Sequence, residues 1–497
     1  MNPLAWKRCA PRLVMTLAAM ATLFVAVGCG SGGGGIIHPL PGGYSKASLK
    51  GQYVIAQTGI GAVQPSAGIG TAPFSETIVF TADGSGNLAI AVDDFNQSGT
   101  AYTLPPSSAL TGTYSIISDG TGSLSFNSSN YTITMIDDSH FYVIEQDVFA
   151  TASGFGEKQD TTAFTAAPSG NFVFKAHNLS LSSRVGGITI SGGAINGTED
   201  FLGLGTLSSS RLIATSVAMS TPNSTTGRGT FALNDGTSFS YYVVNSSKFH
   251  FMSSTGSLEV GQAEAQTGGP FSVATLAAGP SYVFGSSGDT SFPLGIHSAG
   301  VFTTDGNGNI TAGAVDYVQD TTVNSNLTVS GGTYTLPANG GGRGQINLTL
   351  SGGTISPQIF WMVNGTRAYF LADSTAAVED GTFSLQQGAP FSSIGSQAAF
   401  VMDGFDTTYK DRVGAFQPTS SGFNWKQAAN AFDVNLGGIL SSLGTNGTAQ
   451  VSSNGRVAAT VNGVTNSLVF YLSGPGSGFM VQEDADIGGA FSQQASQ

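Results

Sequence analysis

The chain has 497 residues, 70 of them glycine, and 17 basic against 30 acidic residues give it a formal charge of −13. A hydrophobic fraction of 40% supports packed cores and excludes a disordered or collagen-like chain. The acidic balance excludes an electrostatic surface for nucleic acid, so we expect no nucleic-acid partner.

The first 29 residues predict export and lipid attachment. A basic start precedes an apolar run, Leu13–Val27, which is too short to cross a hydrocarbon core of roughly 30 Å. The run ends in Ala-Val-Gly-Cys29, which resembles a bacterial lipobox, although Leu is usual where Ala26 stands. The other cysteine, Cys9, lies in the segment that would be removed, so the mature chain would have no internal disulfide.

We therefore predict a lipoprotein signal peptide at residues 1–28 and acylation, including palmitate, at Cys29. Residues 29–48 form a Gly- and Pro-rich tether. The expected location is the outer membrane or the cell surface, with the membrane as a partner through the anchor. The alternative is an ordinary signal peptide followed by a chance cysteine.

Internal similarity predicts four repeats, at 49–164, 165–274, 275–392 and 393–497. Each repeat opens with a strand that carries an aromatic residue, and the four are Tyr53, Phe172, Tyr282 and Phe400. Each closes with Gly, four residues and Gln: Gly154 to Gln159, Gly261 to Gln266, Gly381 to Gln386 and Gly488 to Gln493.

Inside each repeat, a hairpin arm places an acid eight positions after a glycine. The acids are Asp94, Asp200 and Asp316, and the fourth repeat has Asn430 instead. About eight short alternating strands separated by Gly, Asn, Asp and Ser turns follow one another in each unit.

This pattern predicts an all-β fold of tandem antiparallel β-meander domains, either small up-and-down barrels or barrel-like sandwiches, in a row. The competing arrangement is one eight-bladed propeller made of four-stranded blades. A transmembrane barrel fits the low charge, but the lipobox and tether favour an anchored protein.

Five short segments give the chain a family resemblance: "GQYVI", "FTTDGNGNITAG", "GGTYTL", "GRG" and "QTGGPFS". With these it resembles tandem-repeat, exported, mostly uncharacterised proteins common in acidobacteria. The resemblance covers most of residues 49–497 and is weakest in the fourth repeat. It implies repeated β-domains at the cell surface and no activity or site residues.

One metal site deserves consideration. Asp305, Asn307 and Asn309, with Asp316 at the twelfth position, have the spacing of a calcium loop. The loop's required glycine is replaced by Ile310, and a strand from 309 to 316 would carry Asp316 roughly 23 Å from the turn. We therefore interpret these residues as a hairpin turn and expect no metal.

Catalytic motifs are lacking in the sequence. No histidine and cysteine ligand cluster, nucleophile elbow or phosphate loop occurs, and we expect neither a cofactor nor enzymatic activity. The pairs Asp93-Asp94 and Asp137-Asp138 cannot converge on one bond, since neighbours on a strand face opposite sides. Trp361 and Trp425 are weak candidates for ligand stacking, with core packing as the default.

The leading functional hypothesis is a non-catalytic, lipid-anchored surface or periplasmic protein whose β-domains serve adhesion or bind glycans or proteins. The alternative is a carrier of small hydrophobic ligands with lipocalin-like barrels. A carbohydrate-active hydrolase is the third.

Overall fold

The computed structural model is all-β, as predicted. It describes residues 43–61, 72–97, 99–104, 110–126, 129–179, 181–203, 205–291, 294–320, 322–352, 355–374, 377–406, 408–420, 422–433, 437–462, 467–483 and 485–495. The helices of these residues are three single turns, Lys46–Ser48, Thr161–Thr165 and Val273–Thr275. No helix in the described part of the chain is long and apolar enough to cross a membrane.

Barrel 1 contains nine strands. They are β1 (Lys50–Gly61), β2 (Ala72–Asp83), β3 (Asn87–Gln97), β4 (Thr100–Leu104), β5 (Thr111–Ile116), β6 (Thr121–Phe126), β7 (Ser129–Met135), β8 (His140–Gln146) and β9 (Ala150–Lys158). The sheet closes because β1 pairs with β9 and β3 pairs with both β2 and β5, while β4 adds to the free part of β3.

Barrel 2 is an eight-stranded sheet that curls without completing its ladder. Its strands are β10 (Gly170–Asn178), β11 (Ser182–Ser191), β12 (Ala194–Gly203), β13 (Thr206–Ala218), β14 (Arg228–Ala232), β15 (Ser238–Asn245), β16 (Lys248–Ser253) and β17 (Val260–Ala265). Strands β10 and β17 pair, and a single bridge from Met219 to Phe231 joins the ends near β13 and β14.

Barrels 3 and 4 are closed and have eight strands each. Barrel 3 consists of β18 (Ser281–Ser291), β19 (Leu294–Thr304), β20 (Asn309–Gln319), β21 (Thr322–Thr335), β22 (Arg343–Leu350), β23 (Gln358–Asn364), β24 (Arg367–Ala372) and β25 (Val378–Leu385). Barrel 4 consists of β26 (Ala398–Asp406), β27 (Thr408–Thr419), β28 (Gly422–Asp433), β29 (Gly437–Val451), β30 (Arg456–Val461), β31 (Ser467–Gly474), β32 (Ser477–Gln482) and β33 (Asp486–Gln493).

Each barrel has its own aromatic core, which excludes the propeller. In barrel 1, for example, Tyr53 lies 5.7 Å from Phe80 and 5.9 Å from Phe141, measured between ring centroids. Eight or nine strands surround each such core, whereas propeller blades would contain four.

The register of the fourth repeat corrects two sequence alignments. Ala398 pairs with Gln493 as Tyr282 pairs with Leu385, so Ala398, not Phe400, occupies the position of the opening aromatic. The closing glutamine of this repeat is therefore Gln494 rather than Gln493. A strand repeats its side-chain direction every two residues, so a pattern that slips by two still places apolar residues inward.

The four barrels form a closed ring, so the expectation of a row was wrong. The outer faces of the first strands of each barrel pack on the outer faces of the last strands of the next. The same contact joins β26, β27 and β28 of barrel 4 to β7, β8 and β9 of barrel 1. Closure of a ring by four head-to-tail contacts of one kind requires a rotation of about a quarter turn from each barrel to the next.

Candidate functional site

Three of the four seams between neighbouring barrels contain a buried carboxylate from the predicted hairpin arm. Asp94, Asp200 and Asp316 are each 1% exposed or less. Each accepts hydrogen bonds from an arginine and an aromatic residue of the next barrel. These donors are Arg228 with Tyr242, Arg343 with Trp361, and Arg456 with Tyr471.

The geometry of these groups is that of paired, hydrogen-bonded charges. Arg343 places Nη2 2.7 Å from Asp200 Oδ1 and Nε 2.9 Å from Oδ2, and Trp361 Nε1 donates to Oδ2 at 2.8 Å. Arg456 binds both oxygens of Asp316 in the same two-pronged way, at 2.6 and 2.7 Å. Bidentate pairs of this type fix orientation as well as adding energy, so they align neighbouring barrels.

Apolar side chains surround each group. In the seam between barrels 3 and 4, Val283, Val301 and Val318 pack with Val469, Tyr471 and Val481. Similar clusters fill the seams between barrels 1 and 2 and between barrels 2 and 3. Since isolated buried charges are costly, the arginine partners are what allow these carboxylates to be buried.

The seam between barrels 4 and 1 has a different chemistry. Asn430 stands at the place of the aspartates and donates through Nδ2 to the carbonyl oxygens of Asp147 and Ala150 at 3.2 and 3.0 Å. Thr121 and its ladder partner Thr134 occupy the places of the arginine and the aromatic residue. All three members of the group thus change together at the point where the ring closes.

The predicted closing glutamines also join the barrels. Gln159 donates from Nε2 to the carbonyl oxygens of Thr226 and Val243 in barrel 2. Gln266, Gln386 and Gln494 make the same two bonds to barrels 3, 4 and 1. Gln494 therefore closes the ring on barrel 1, and its bonds fix the corrected register.

Charged residues cluster where β10, β18 and β25 meet near the ring axis. His177 lies 2.8 Å from Asp380 through Nδ1 and 3.3 Å from Asp289 through Nε2, and Lys175 Nζ lies 3.1 Å from Asp380. Burial alone would lower the pKa of His177, but the two carboxylates raise it to about 10. The lysine and histidine in turn hold the pKa of Asp380 below its usual range, against the effect of burial.

Two carboxyl groups of barrel 4 extend this cluster. Burial raises the pKa of Asp486 to about 7 and that of Asp403 to about 6, and Asp289 adds to both shifts. Asp486 accepts a hydrogen bond from the backbone amide of Gly295 in barrel 3. Burial and His177 lower the pKa of the neighbouring His297 to about 3. Among the described residues, no three histidine, cysteine or acidic side chains are arranged to hold a metal ion.

The proposed turn at Asp305 is present. Asp305 Oδ1 accepts from the backbone amides of Asn307 and Asn309 at 2.7 and 3.0 Å, and Oδ2 accepts from Asn309 Nδ2 at 2.6 Å. These bonds lower the pKa of Asp305, the side chain of Asn309 contributing most. Asp316 bonds Arg456 in the next barrel, so it does not complete a calcium loop.

Both tryptophan candidates for ligand stacking are buried. Trp361 is 5% exposed in the seam between barrels 2 and 3. Trp425 is 2% exposed in the core of barrel 4 and stacks on Phe400 at 4.1 Å.

The side chains of Asp93 and Asp94 face opposite sides of their strand, as expected. Asp94 faces the seam, while Asp93 pairs with Ile78 of the core. Cys29 lies outside the described residues.

The interiors of barrels 2 and 3 are nearly filled by side chains. A cavity of about 20 Å³ remains in barrel 2 among Phe174, Ile188 and Phe251, and one of about 10 Å³ in barrel 3 among Phe284, Phe302 and Phe370. Pockets for small ligands measure roughly 300 Å³ or more. These two cavities leave no room for a lipocalin-like ligand.

The ring has two unlike faces. Residue 43, the three linkers and Gln494 lie on one, here called the tether face, because each closing glutamine bonds the linker end of the next barrel. The opposite face, the distal face, presents the turns at the other strand ends. Within the described chain, four exposed large apolar side chains lie at these strand ends: Val148, Val323, Ile439 and Leu440.

Comparisons with known proteins yield little. No protein-family profile and no curated protein matches this chain. Among solved structures, a double mutant of transferrin binding protein B from Haemophilus parasuis is 8% identical, with a TM-score of 0.20, over 67% of this chain and 75% of that one. Intact Ap-TbpB, with N and C lobes, is 8% identical, with a TM-score of 0.18, over 67% and 76%. At these scores the likeness carries no argument.

Sequence reasoning identified the arm aspartates but missed their partners. Arg228 and Arg343 stand in the repeated Gly-Arg-Gly segment, and Arg456 follows Gly455. An arginine therefore recurs at one place in repeats two to four and is absent from the first repeat. This recurrence could have indicated the partners of the arm aspartates. The charges of His177, Asp403 and Asp486 have no such repetition, and only the ring brings them together.

Proposed function

We propose that the protein is a non-catalytic, lipid-anchored surface protein that binds a protein partner through the distal face of its ring. The observation that carries this proposal is the division of the ring into two faces. Residue 43 and the three linkers lie on one face, so the other would point away from a membrane that holds Cys29.

The distal face has the features of a binding surface. Its turns differ in length and sequence from barrel to barrel, whereas the tether-face turns at Asp83 and Asp305 share one set of hydrogen bonds. Variable turns on a rigid scaffold commonly carry binding functions. The exposed apolar side chains there favour a protein over a glycan, since both described tryptophans are buried.

The other functions have less support. A carrier needs an interior volume that the filled cores of barrels 2 and 3 do not offer. A hydrolase needs a pair of accessible carboxyl groups, and the buried acids in three seams are engaged by arginines. We therefore propose no enzymatic activity.

One experiment tests anchor and face together. Cys29→Ser should abolish palmitate labelling and release the protein from the membrane fraction, since no other thiol remains after cleavage. The released protein should bind members of an array of extracellular proteins, and Val323→Glu should weaken that binding.

Ile117→Glu serves as the matched control, because Ile117 is an apolar residue at the tether face that is 51% exposed, against 41% for Val323. Loss of binding in Ile117→Glu but not in Val323→Glu would contradict the assignment of the face. Persistent palmitate labelling of Cys29→Ser would contradict the anchor.

A further inference from the structure

Each barrel carries a hairpin arm formed by its third strand and the strand that follows. In barrels 2, 3 and 4 these arms are β12–β13, β20–β21 and β28–β29. In barrel 3 the following strand, β22, pairs with β21 only from Val329 onward, and in barrel 4 β30 pairs with β29 only from Gly447 onward. The distal part of an arm is therefore paired on one side.

Among the arms of barrels 2, 3 and 4, that of barrel 4 has the regular ladder. Its ladder runs without a shift from Gly422 opposite Thr448 to Asp433 opposite Gly437. The ladder of β12 and β13 shifts three times, and that of β20 and β21 shifts at Val315. Ser210, Ser216 and Asn326 have positive φ angles of 51 to 53° in those two arms.

The change from aspartate to asparagine accompanies this difference between barrel 4 and barrels 2 and 3. In the bulged arms, the aspartate accepts the amide of the bulge residue: Asp200 accepts Ser210 N at 3.0 Å and Asp316 accepts Asn326 N at 2.6 Å. Asn430 instead uses its amide group to donate to barrel 1. The arm of barrel 4 therefore lacks this bond from a carboxylate to a bulge amide, and its ladder is unshifted.

The outer edge of β29 carries backbone groups that point away from β28. Gly438 N donates outward to Val148 O, and Asn446 O accepts outward from Asn462 N. Since outward groups alternate along a strand, those of Leu440, Ser442 and Gly444 point the same way. Between these two contacts, no strand of the described chain pairs with this side, and the three residues are exposed.

Edges of this kind attract other strands. Proteins protect open edges with bulges, charges, proline or short length. The arms of barrels 2 and 3 have bulges, and β4 of barrel 1 has only five residues. From Gly437 to Val451, β29 contains no charged residue, no proline and no bulge, and Ile439 and Leu440 are half exposed.

We propose that the free edge of β29, between Gly438 and Asn446, binds an extended peptide segment of a partner protein as an added β-strand. This inference rests on the proposed protein-binding function and names its site. Main-chain bonds to Leu440, Ser442 and Gly444 supply affinity. Ile439 and Leu440 face opposite sides of the arm, so they select apolar residues on both faces of the incoming strand.

Charge indicates a partner segment rather than a second copy. Each chain carries a formal charge of −13, which opposes pairing of two identical copies. An uncharged or basic segment meets no such repulsion. The occupant is therefore an extended, uncharged or basic strand from another protein.

The test removes one outward donor without disturbing the inner ladder. Ser442→Pro deletes the outward N–H, and proline is tolerated on an edge strand whose N–H faces solvent. Ser442→Ala keeps that N–H and is the matched control. Leu440→Lys is a second variant that places a charge on the edge and keeps every backbone bond.

The probe is a display library of random peptides long enough to form one strand, selected on the released full-length protein. Selected peptides should bind wild type and Ser442→Ala equally and Ser442→Pro about tenfold more weakly, as expected for about 1.4 kcal/mol of lost bonding. Leu440→Lys should also bind weakly. Bound peptide should slow amide exchange at Leu440, Ser442 and Gly444.

Equal binding to wild type, Ser442→Pro and Leu440→Lys would overturn the proposal, as would a selection that yields no peptide. A wild type that dimerises while Ser442→Pro stays monomeric would identify a second copy as the occupant and overturn it too. Array binding that is lost in Val323→Glu but kept in Ser442→Pro would leave the distal-face function standing and refute this site alone.

Discussion

Asp486 illustrates how the ring changes the chemistry of single residues. It is 2% exposed, its Oδ2 accepts the amide of Gly295, and His297 lies 3.9 Å from its Oδ1. Burial lowers the pKa of His297 to about 3, so that histidine supplies no positive charge at pH 7. Burial therefore outweighs the hydrogen bond from Gly295 and raises the pKa of Asp486 to about 7.

The raised pKa predicts a specific pH dependence of stability. The folded pKa lies above the ordinary value of 3.8, so Asp486 contributes full stability below about pH 4 and loses it as pH rises through 7. Asp486→Asn should unfold at a higher denaturant concentration than wild type at pH 8, with a smaller difference at pH 5. Denaturant titrations at the two pH values measure this.

Asp160→Asn is the control for that titration. Asp160 is exposed, and its bonds to Thr162 lower its pKa, so it is ionised throughout this range. Its replacement should leave the difference between pH 5 and pH 8 unchanged. If Asp486→Asn behaved like Asp160→Asn, the carboxyl group of Asp486 would be ionised without cost in the ring.

At the scale of elements, the arms and the strands that they contact form matched pairs. The three seams with an aspartate also have an arginine and an aromatic donor across the seam. The seam with asparagine has threonines across it. Each arm is therefore suited to its own neighbour.

Exchanging the two residue types should destabilise both kinds of seam. Asp316→Asn leaves Arg456 without its bidentate carboxylate and should cost about 3 kcal/mol of unfolding free energy. Asn430→Asp turns a donor into an acceptor facing two carbonyl oxygens and should cost about 1–3 kcal/mol.

Denaturant unfolding of residues 43–495 measures both losses. Asn130→Asp, at an exposed position of β7, should change stability by less than about 0.5 kcal/mol. Stability of Asn430→Asp equal to wild type would mean that barrels 4 and 1 do not meet at this contact in solution.

The whole molecule is a closed ring rather than a linear chain of domains, because its last barrel contacts its first. Thr151 of barrel 1 donates to Asp411 of barrel 4, Lys426 bonds Asp119, and Gln494 bonds Met135 O. Compactness follows from these contacts rather than from the linkers.

Small-angle X-ray scattering of residues 43–495 tests the closure. A compact ring should have a radius of gyration of about 22 Å, whereas four domains in a row would give roughly 30 Å. Measurement on Asn430→Asp in parallel shows whether the contact at Asn430 holds the ring closed. A radius near the larger value for the wild type would refute the ring.

The sequence by itself determined the local features of this protein. Alternating apolar residues and Gly, Asn and Asp turns depend on neighbours a few positions away, so they predicted strands, hairpins and the turn at Asp305. Recurrence at intervals of about 110 residues predicted repeated barrels, because one unit encodes one core. It located the arm aspartates and their replacement by Asn430, although not what they bind.

Only the tertiary structure decided the ring, the partners of the arm aspartates and the acidic cluster near its axis. Asp200 and Arg343 are 143 positions apart, and Asp411 and Thr151 are 260 apart. No local pattern specifies such pairs, because they depend on the angle at which one barrel packs on the next. That angle depends on the tilt of the strands and on the packing of side chains along the whole seam. A small change in the angle would turn a closed ring into an open chain.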